Sequence, residues 1–181
     1  MILMAIDPGA SGGICWIDND QLSSGVKAIG MPDTDTAIVE LFEQFKGKDV
    51  TVLMEMVTGF VGFRTKRVNI VCPRCKGYVP YEVKESDPAA RSFNFGKNYG
   101  KLEGIIAAMK FRVEKPIVAR SWQKVHGLSK PKCIAQNKWK NILKDRAQKL
   151  FPSVKVTLKT ADALLILDVL MRMQNKHNPN F

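Results

Sequence analysis

Long apolar runs are missing from this chain. The longest, Ala163 to Met173, is interrupted by Asp168 and Arg172. It falls short of the roughly 20 residues needed to cross a bilayer, so no membrane-spanning helix and no membrane partner are expected. A basic, small-residue-terminated leader is missing as well, because the first residues run straight into an apolar, strand-like segment that ends in Asp7. Cysteine is confined to Cys15, Cys72, Cys75 and Cys133. With no export signal, a cytoplasmic location is expected, where these cysteines stay thiols or bind metal rather than form disulfides. There is no internal repeat and no low-complexity tract, and a hydrophobic content of 45% excludes disordered and collagen-like classes. Negative charge is also short: 17 Asp+Glu stand against 28 Lys+Arg, a net +11 over 181 residues. That surplus calls for a polyanionic partner. The length fits one domain, residues 1–181, able to bury a core of its own.

The positive charge is polarised along the chain. Ten basic residues lie between Arg120 and Lys155, among them Lys130, Lys132 and Lys138, and only Asp145 opposes them. From Val57 to Lys101, nine Lys or Arg, including Arg64, Lys66, Arg67, Lys97 and Lys101, face Glu82, Glu85 and Asp87. In Met1 to Met56, by contrast, carboxylates outnumber Lys27, Lys46 and Lys48. Taken singly, a charge run is a solvated helix face. Two runs interleaved with Phe93, Phe95, Tyr99, Trp122 and Trp139 point to nucleic acid.

Ile2 to Ile6 is predicted to be a buried strand, Asp7 to Gly13 a tight turn and Ile14 to Ile17 the returning strand. A third strand is expected near Val26 to Gly30, and a helix over Thr36 to Phe45 from its apolar spacing. Val50 to Met56 reads as a strand. Arg64 to Ser86 breaks the pattern with Cys, Pro, Gly and charges, as an insertion does. Tyr99 to Phe111 is predicted to be helical, with Gly96, Gly100 and Gly104 on one face that lets another backbone come close. Pro116 to Ala119 is a strand candidate, followed by a helical turn over Ser121 to His126. A basic amphipathic helix is expected over Pro131 to Phe151, and a buried helix over Thr160 to Met173. This order indicates an α/β fold with a mixed sheet.

Three carboxylates fall inside predicted core elements: Asp7 at the end of the first strand, Glu55 within Val52 to Met56, and Asp162 entering the most apolar helix. Burying an isolated carboxylate is costly, so each requires a partner or a metal. Singly each could be a cap or an ion pair. Together, with no His or Cys near the three motifs, they suggest an all-oxygen site for Mg²⁺ or Mn²⁺. Asp168 lies six residues beyond Asp162, about 240° around a helix, and so off that face.

Ile6-Asp7-Pro8-Gly9-Ala10-Ser11-Gly12-Gly13, Leu53-Met54-Glu55-Met56 and Thr160-Ala161-Asp162-Ala163-Leu164, in this order and spacing, resemble the RuvC-type Holliday-junction resolvases. The likeness is to the small phage RuvC-like proteins within the ribonuclease H-like superfamily. Ser92 to Gly96, Tyr99-Gly100 and Ser121-Trp122 also look like that subgroup. The resemblance implies a five-stranded mixed sheet flanked by helices, here with a small cysteine-containing insertion at 64–86, and a homodimer. It also implies the host cytoplasm as location if the chain is phage-encoded. Its metal-binding carboxylates fall on Asp7, Glu55 and Asp162. The family's fourth ligand position falls on Lys159, whose ammonium has no lone pair to offer a metal. Lys159 therefore contacts the scissile phosphate, or one metal is held weakly, or activity is reduced. The implied activity is cleavage of four-way junctions or other branched DNA with two Mg²⁺ or Mn²⁺ ions, leaving 5′-phosphates. Phe60 and Phe63 follow Glu55 where the family places an aromatic that probes an unstacked base; burial of both in the core is the competing reading.

Cys72-Pro73-Arg74-Cys75-Lys76-Gly77 has the spacing of a metal knuckle, but a structural zinc takes four ligands. There is no second Cys-x-x-Cys, and His126, Cys133 and His177 are distant in sequence. Two subunits could each donate Cys72 and Cys75 to one shared Zn²⁺; the alternatives are a hairpin turn with two free thiols or a decayed zinc ribbon. Two other functional classes remain. A sugar-kinase-like ATPase also opens with a strand, an Asp and a Gly-rich turn, but needs a second such domain that this length does not hold. A non-catalytic or weakly active branched-DNA-binding protein of the same fold is made credible by Lys159.

Overall fold

The computed structural model describes residues 1–18, 25–56, 63–86 and 89–177. The chain divides into two compact units, Met1–Val57 with Tyr99–Phe181, and Thr58–Asn98.

The first unit is built on a mixed sheet. Strand β1 (Ile2–Asp7) pairs antiparallel with β2 (Gly13–Asp18), and β2 pairs antiparallel with β3 (Lys27–Gly30). On its other side β1 runs parallel to β4 (Val50–Met56), which also carries the two-residue strands β7 (Arg112–Val113) and β8 (Ile117–Val118) in parallel. The order is β3-β2-β1-β4-β7, with β8 continuing along β4. The mixed sheet expected from the sequence is present. A central strand covered on both faces must be apolar at every position, and Ile2 through Ile6 are all buried.

The strand period of two sorts these residues onto two cores. Ile2, Met4 and Ile6 join Ile14, Val50, Val52 and Met54. Against them pack Ile38 and Phe42 of helix α1 (Asp35–Glu43) and Leu102 and Ile106 of helix α2 (Ala89–Ala108). Leu3, Ala5, Cys15, Ile17 and Leu53 face the other way, onto Trp122 of helix α3 (Ala119–Val125), Trp139, Leu143 and Ala147 of helix α4 (Gln136–Leu150), and Ala163 to Leu167 of helix α5 (Ala161–His177). Thr34 caps α1, its hydroxyl accepting from the Ala37 N–H at 3.2 Å.

Several expectations need correction. Helix α2 begins ten residues before Tyr99, because a helix continues through glycines that cost it only about 1 kcal/mol each. A Cβ on Gly96, Gly100 or Gly104 would meet nothing within 4 Å among the described residues, so none of these brings a backbone close to that stripe. Helix α4 starts at Gln136 rather than Pro131, after a turn closed by the Ile134 N–H on the Pro131 carbonyl. Trp122 and Trp139 are core residues, 1% and 4% exposed, and cannot stack on bases.

In the second unit, β5 (Phe63–Val71) and β6 (Tyr78–Ser86) form an antiparallel hairpin in continuous register from Phe63↔Ser86 to Val71↔Tyr78. The insertion anticipated at 64–86 is this hairpin, and residues 72–77, with both cysteines, form its tip.

Candidate active site

Leu3, Ala5 and then Asp7 alternate along β1, as Leu53 and then Glu55 do along β4. The parallel register Ala5↔Leu53, Ile6↔Met54 brings the two carboxylates to the ends of adjacent strands. Both follow the alternation that faces α5, and Asp162 occupies the first turn of α5. Three separate elements thereby direct carboxylates to one end of the sheet.

The turn after β1 is built around Asp7. The Gly9 N–H donates to Asp7 Oδ1 at 3.2 Å, and the Gly12 N–H donates to the Gly9 carbonyl at 2.8 Å. A Cβ on Gly12 would lie 2.2 Å from the Asp7 carbonyl oxygen and 2.7 Å from its carboxyl carbon. Only glycine allows the chain to fold back this closely. At Gly13 a Cβ would lie 2.6 Å from the Ile29 carbonyl and 2.7 Å from that of Lys159, so the start of β2 is wedged between β3 and the approach to α5. That approach is held by the hydroxyls of Thr157 and Thr160, 3.1 Å apart, with the Thr157 N–H donating to Thr160 Oγ1 at 3.0 Å.

The three carboxylates feel one another. Burial first, then the charges of Asp7 and Asp162, push Glu55 up to about 8. Burial and then Asp7 raise Asp162 to about 7. Burial raises Asp7 as well, opposed by the Gly9 hydrogen bond and by Lys140. Cys15 Sγ donates to the Thr160 carbonyl at 3.8 Å, and burial together with the Asp7 charge pushes this thiol up, so it is an inert neighbour. The buried Trp122 indole N–H makes no hydrogen bond of ordinary geometry, but it lies close enough to Glu55 to favour the carboxylate.

Among the described residues no three His, Cys, Asp or Glu side chains are already gathered as a metal-holding cluster. The carboxylates therefore interact through charge without being drawn to ligating distance. The donor set still fits a hard divalent cation: all ligands are oxygen, and burial plus like charge is the penalty such a cation relieves.

Lys159 and Lys140 lie on different sides of the site's charge balance, and Lys140 is a residue that the sequence does not single out. Lys159 is exposed, and its stem lies over Gly30, where an added Cβ would stand 2.9 Å from Lys159 Cδ. The cation whose charge reaches both Asp7 and Asp162 is Lys140, half-buried on α4 beside Trp139. Asp168, set aside as a ligand, pairs with Arg172 at 2.6 Å and faces His126 Nδ1 at 3.7 Å. The Nε2–H of that buried His126 donates to the Leu165 carbonyl at 2.9 Å.

A basic recess borders this end of the first unit. Arg120, Gln123 and Lys124 of α3, with Leu128, Ser129 and Lys130, line a cleft of about 660 Å³. Helix α3 follows directly on β8, which pairs with β4 at Glu55↔Ile117. One short helix thus offers Trp122 inward toward Glu55 and cations outward into the cleft. Of the other candidate DNA contacts, Lys97, Lys132 and Lys138 are exposed. Lys101 is paired with Asp35 at 2.6 Å, Arg67 with Glu82 at 3.1 Å, and Lys130 with Gln136. Lys66 is exposed on β5. Phe63 and Arg64 open β5, with side chains outside the described set, and Phe60 lies outside the described residues.

No family model matches the chain, and no curated protein matches it. Among solved structures, the Thermus thermophilus RuvC structure is similar at 12% sequence identity and a TM-score of 0.46, with 96% of this chain and 97% of that chain covered. Among the described residues no helix is long and apolar enough to cross a membrane.

Proposed function

We propose that the chain is a divalent-metal-dependent endonuclease that cuts Holliday junctions or other branched DNA, leaving 5′-phosphates. The observation that carries this reading is the convergence of Asp7, Glu55 and Asp162 from two strand ends and one helix start, each with a raised pKa. Strongly perturbed groups gathered at one place, shifted by burial and by one another's charge, are the physical signature of a candidate functional site. The Asp-Pro-Gly, Met-Glu-Met and Thr-Ala-Asp motifs and the neighbouring basic cleft direct that chemistry to DNA.

Asp7, Glu55 and Asp162 would together hold the cations. When bound, two Mg²⁺ or Mn²⁺ ions supply activation of water and stabilisation of the departing 3′-oxygen. The chain's own part is orientation and charge. The Gly9 N–H fixes Asp7, the Trp122 indole favours ionised Glu55, and Lys140 lowers the charge repulsion among the carboxylates. Arg120, Lys124 and Lys130 hold backbone phosphates beside the site, and exposed Lys159 contacts DNA at its rim. In a homodimer, two such sites nick symmetric strands.

The test is cleavage of a synthetic four-way junction in Mg²⁺ or Mn²⁺, alongside flaps and forks. Wild-type protein is expected to nick the junction, with Asp7→Asn and Glu55→Gln inactive. Unchanged cutting by either variant removes the proposal. A non-catalytic branched-DNA-binding protein is the second reading, favoured by the absence of a fourth carboxylate at Lys159, and it predicts binding without metal-dependent nicks.

A further inference from the structure

Asp7, Glu55 and Asp162 all belong to the first unit, whereas the β5–β6 hairpin of the second has a tip and one face that no described residue completes. At the tip, Cys72 and Cys75 stand three residues apart on one turn, and the nearby amides of Cys75 and Arg74 with the Cys75 thiol pull the Cys72 thiol below its ordinary range. The loop is closed by the Cys72 N–H on the Gly77 carbonyl at 2.8 Å and the Lys76 N–H on the Cys72 carbonyl at 2.9 Å. Lys76 takes a left-handed φ of 58°. Cys75 Sγ is folded over Gly77, 3.5 Å from where a Cβ would stand. Two thiols thus share one short closed turn at the Cys-x-x-Cys spacing that zinc knuckles use.

Two sulfurs do not complete a zinc site. Among the described residues no third His, Cys, Asp or Glu joins them. Within the hairpin, Glu82 is committed to Arg67.

The hairpin face is unfinished in the same way. Register places Val68 opposite Tyr81, Ile70 opposite Val79, and Val83 opposite Lys66, so five apolar side chains share one face. Ile70, Val79 and Tyr81 are 41%, 37% and 55% exposed. A two-stranded hairpin is marginal in water without something packed on it.

We propose that this hairpin binds zinc as half of a tetrahedral four-cysteine site, and that a second copy of this chain supplies the other Cys72 and Cys75. The same pairing covers the apolar face of each hairpin with that of the other. The electrostatics agree: Zn²⁺ with four thiolates carries 2 − 4 = −2, and each chain brings exposed Arg74 and Lys76 to the tip. The assignment is independent of nuclease activity, since it uses none of the carboxylates.

The experiment takes full-length protein purified without chelator and measures zinc per chain by elemental analysis and mass by light scattering. One zinc per two chains is expected, with the mass halving when a strong chelator removes the metal. Cobalt in place of zinc is expected to give the visible bands of a tetrahedral all-sulfur site. Cys72→Ser and Cys75→Ser are expected to lose metal and metal-dependent association together. Tyr81→Lys, which keeps all the sulfurs, is expected to weaken association at least tenfold. One zinc per chain, a Cys72–Cys75 disulfide, absence of zinc, or an assembly mass indifferent to chelator would each overturn the proposal.

Discussion

Replacing Glu55 by Gln tests whether the carboxylates are gathered as described. The unfolded chain titrates Glu55 near 4.5, and the folded chain near 8. Between those values the folded protein holds a proton the unfolded chain has released. Stability contributed at low pH is therefore lost as pH rises from about 4.5 through about 8. A difference of 8 − 4.5, at 1.36 kcal/mol per pH unit, sets a ceiling of roughly 5 kcal/mol. Asp7 and Asp162 titrate together with Glu55, so its own part lies below that ceiling. For a domain of this size each 1 kcal/mol of it amounts to about 2–4 °C in Tm. The assay is thermal unfolding of metal-stripped protein from pH 5 to 8, wild type beside Glu55→Gln. The wild-type Tm is expected to fall with pH, and the Glu55→Gln variant to fall less steeply, keeping the part of the slope that buried Asp162 and Asp7 supply. Added Mn²⁺ at pH 8 is expected to recover the wild type more than the variant. Equal slopes for the two proteins would refute the electrostatic reasoning.

Lys140→Met keeps the side-chain bulk and removes the cation that opposes protonation of Asp7 and Asp162. The rising limb of the cleavage pH profile is then expected to move to higher pH, and an unmoved profile would contradict the role given to Lys140. Gly12→Ala forces a Cβ against Asp7 at a cost of roughly 1–3 kcal/mol; unfolding should show that loss, and junction cleavage should fall further than stability does. Arg120→Ala with Lys124→Ala removes two cations from the basic cleft; the slope of log affinity against log salt is expected to shrink by about 1.8 on duplex DNA, and an unchanged slope would place the DNA elsewhere.

Much of this arrangement is written locally in the chain. Ile2 to Ile6 are apolar on both strand faces, as is Val50 to Leu53 apart from Thr51, and that is the signature of buried central strands. The carboxylates that end them, Asp7 and Glu55, stand out for that reason. Lys140 does not stand out, because it is one of ten similar cations between Arg120 and Lys155, and only the packing of α4 on α5 selects it. Aromatics between cations are equally ambiguous. Trp122 and Trp139 have the spacing of a nucleic-acid face, yet the fold turns them inward while Phe93 stays 70% exposed. Strand β8 falls within the candidate Pro116 to Ala119, whereas β7 is two residues that no local pattern singles out, held by register on β4. The cysteine hairpin was visible as an excursion from the pattern, but its continuous nine-pair register depends on cross-strand pairing that no local window contains.

The most direct measurement follows one synthetic four-way junction through binding and cutting with the same protein samples. Wild type is expected to bind with steep salt dependence and to nick symmetric strands only when Mg²⁺ or Mn²⁺ is present. Asp7→Asn is expected to bind with undiminished affinity and to make no nicks. Metal-independent nicking, or nicking by Asp7→Asn at the wild-type rate, would contradict the assignment of Asp7, Glu55 and Asp162 as the metal-holding site.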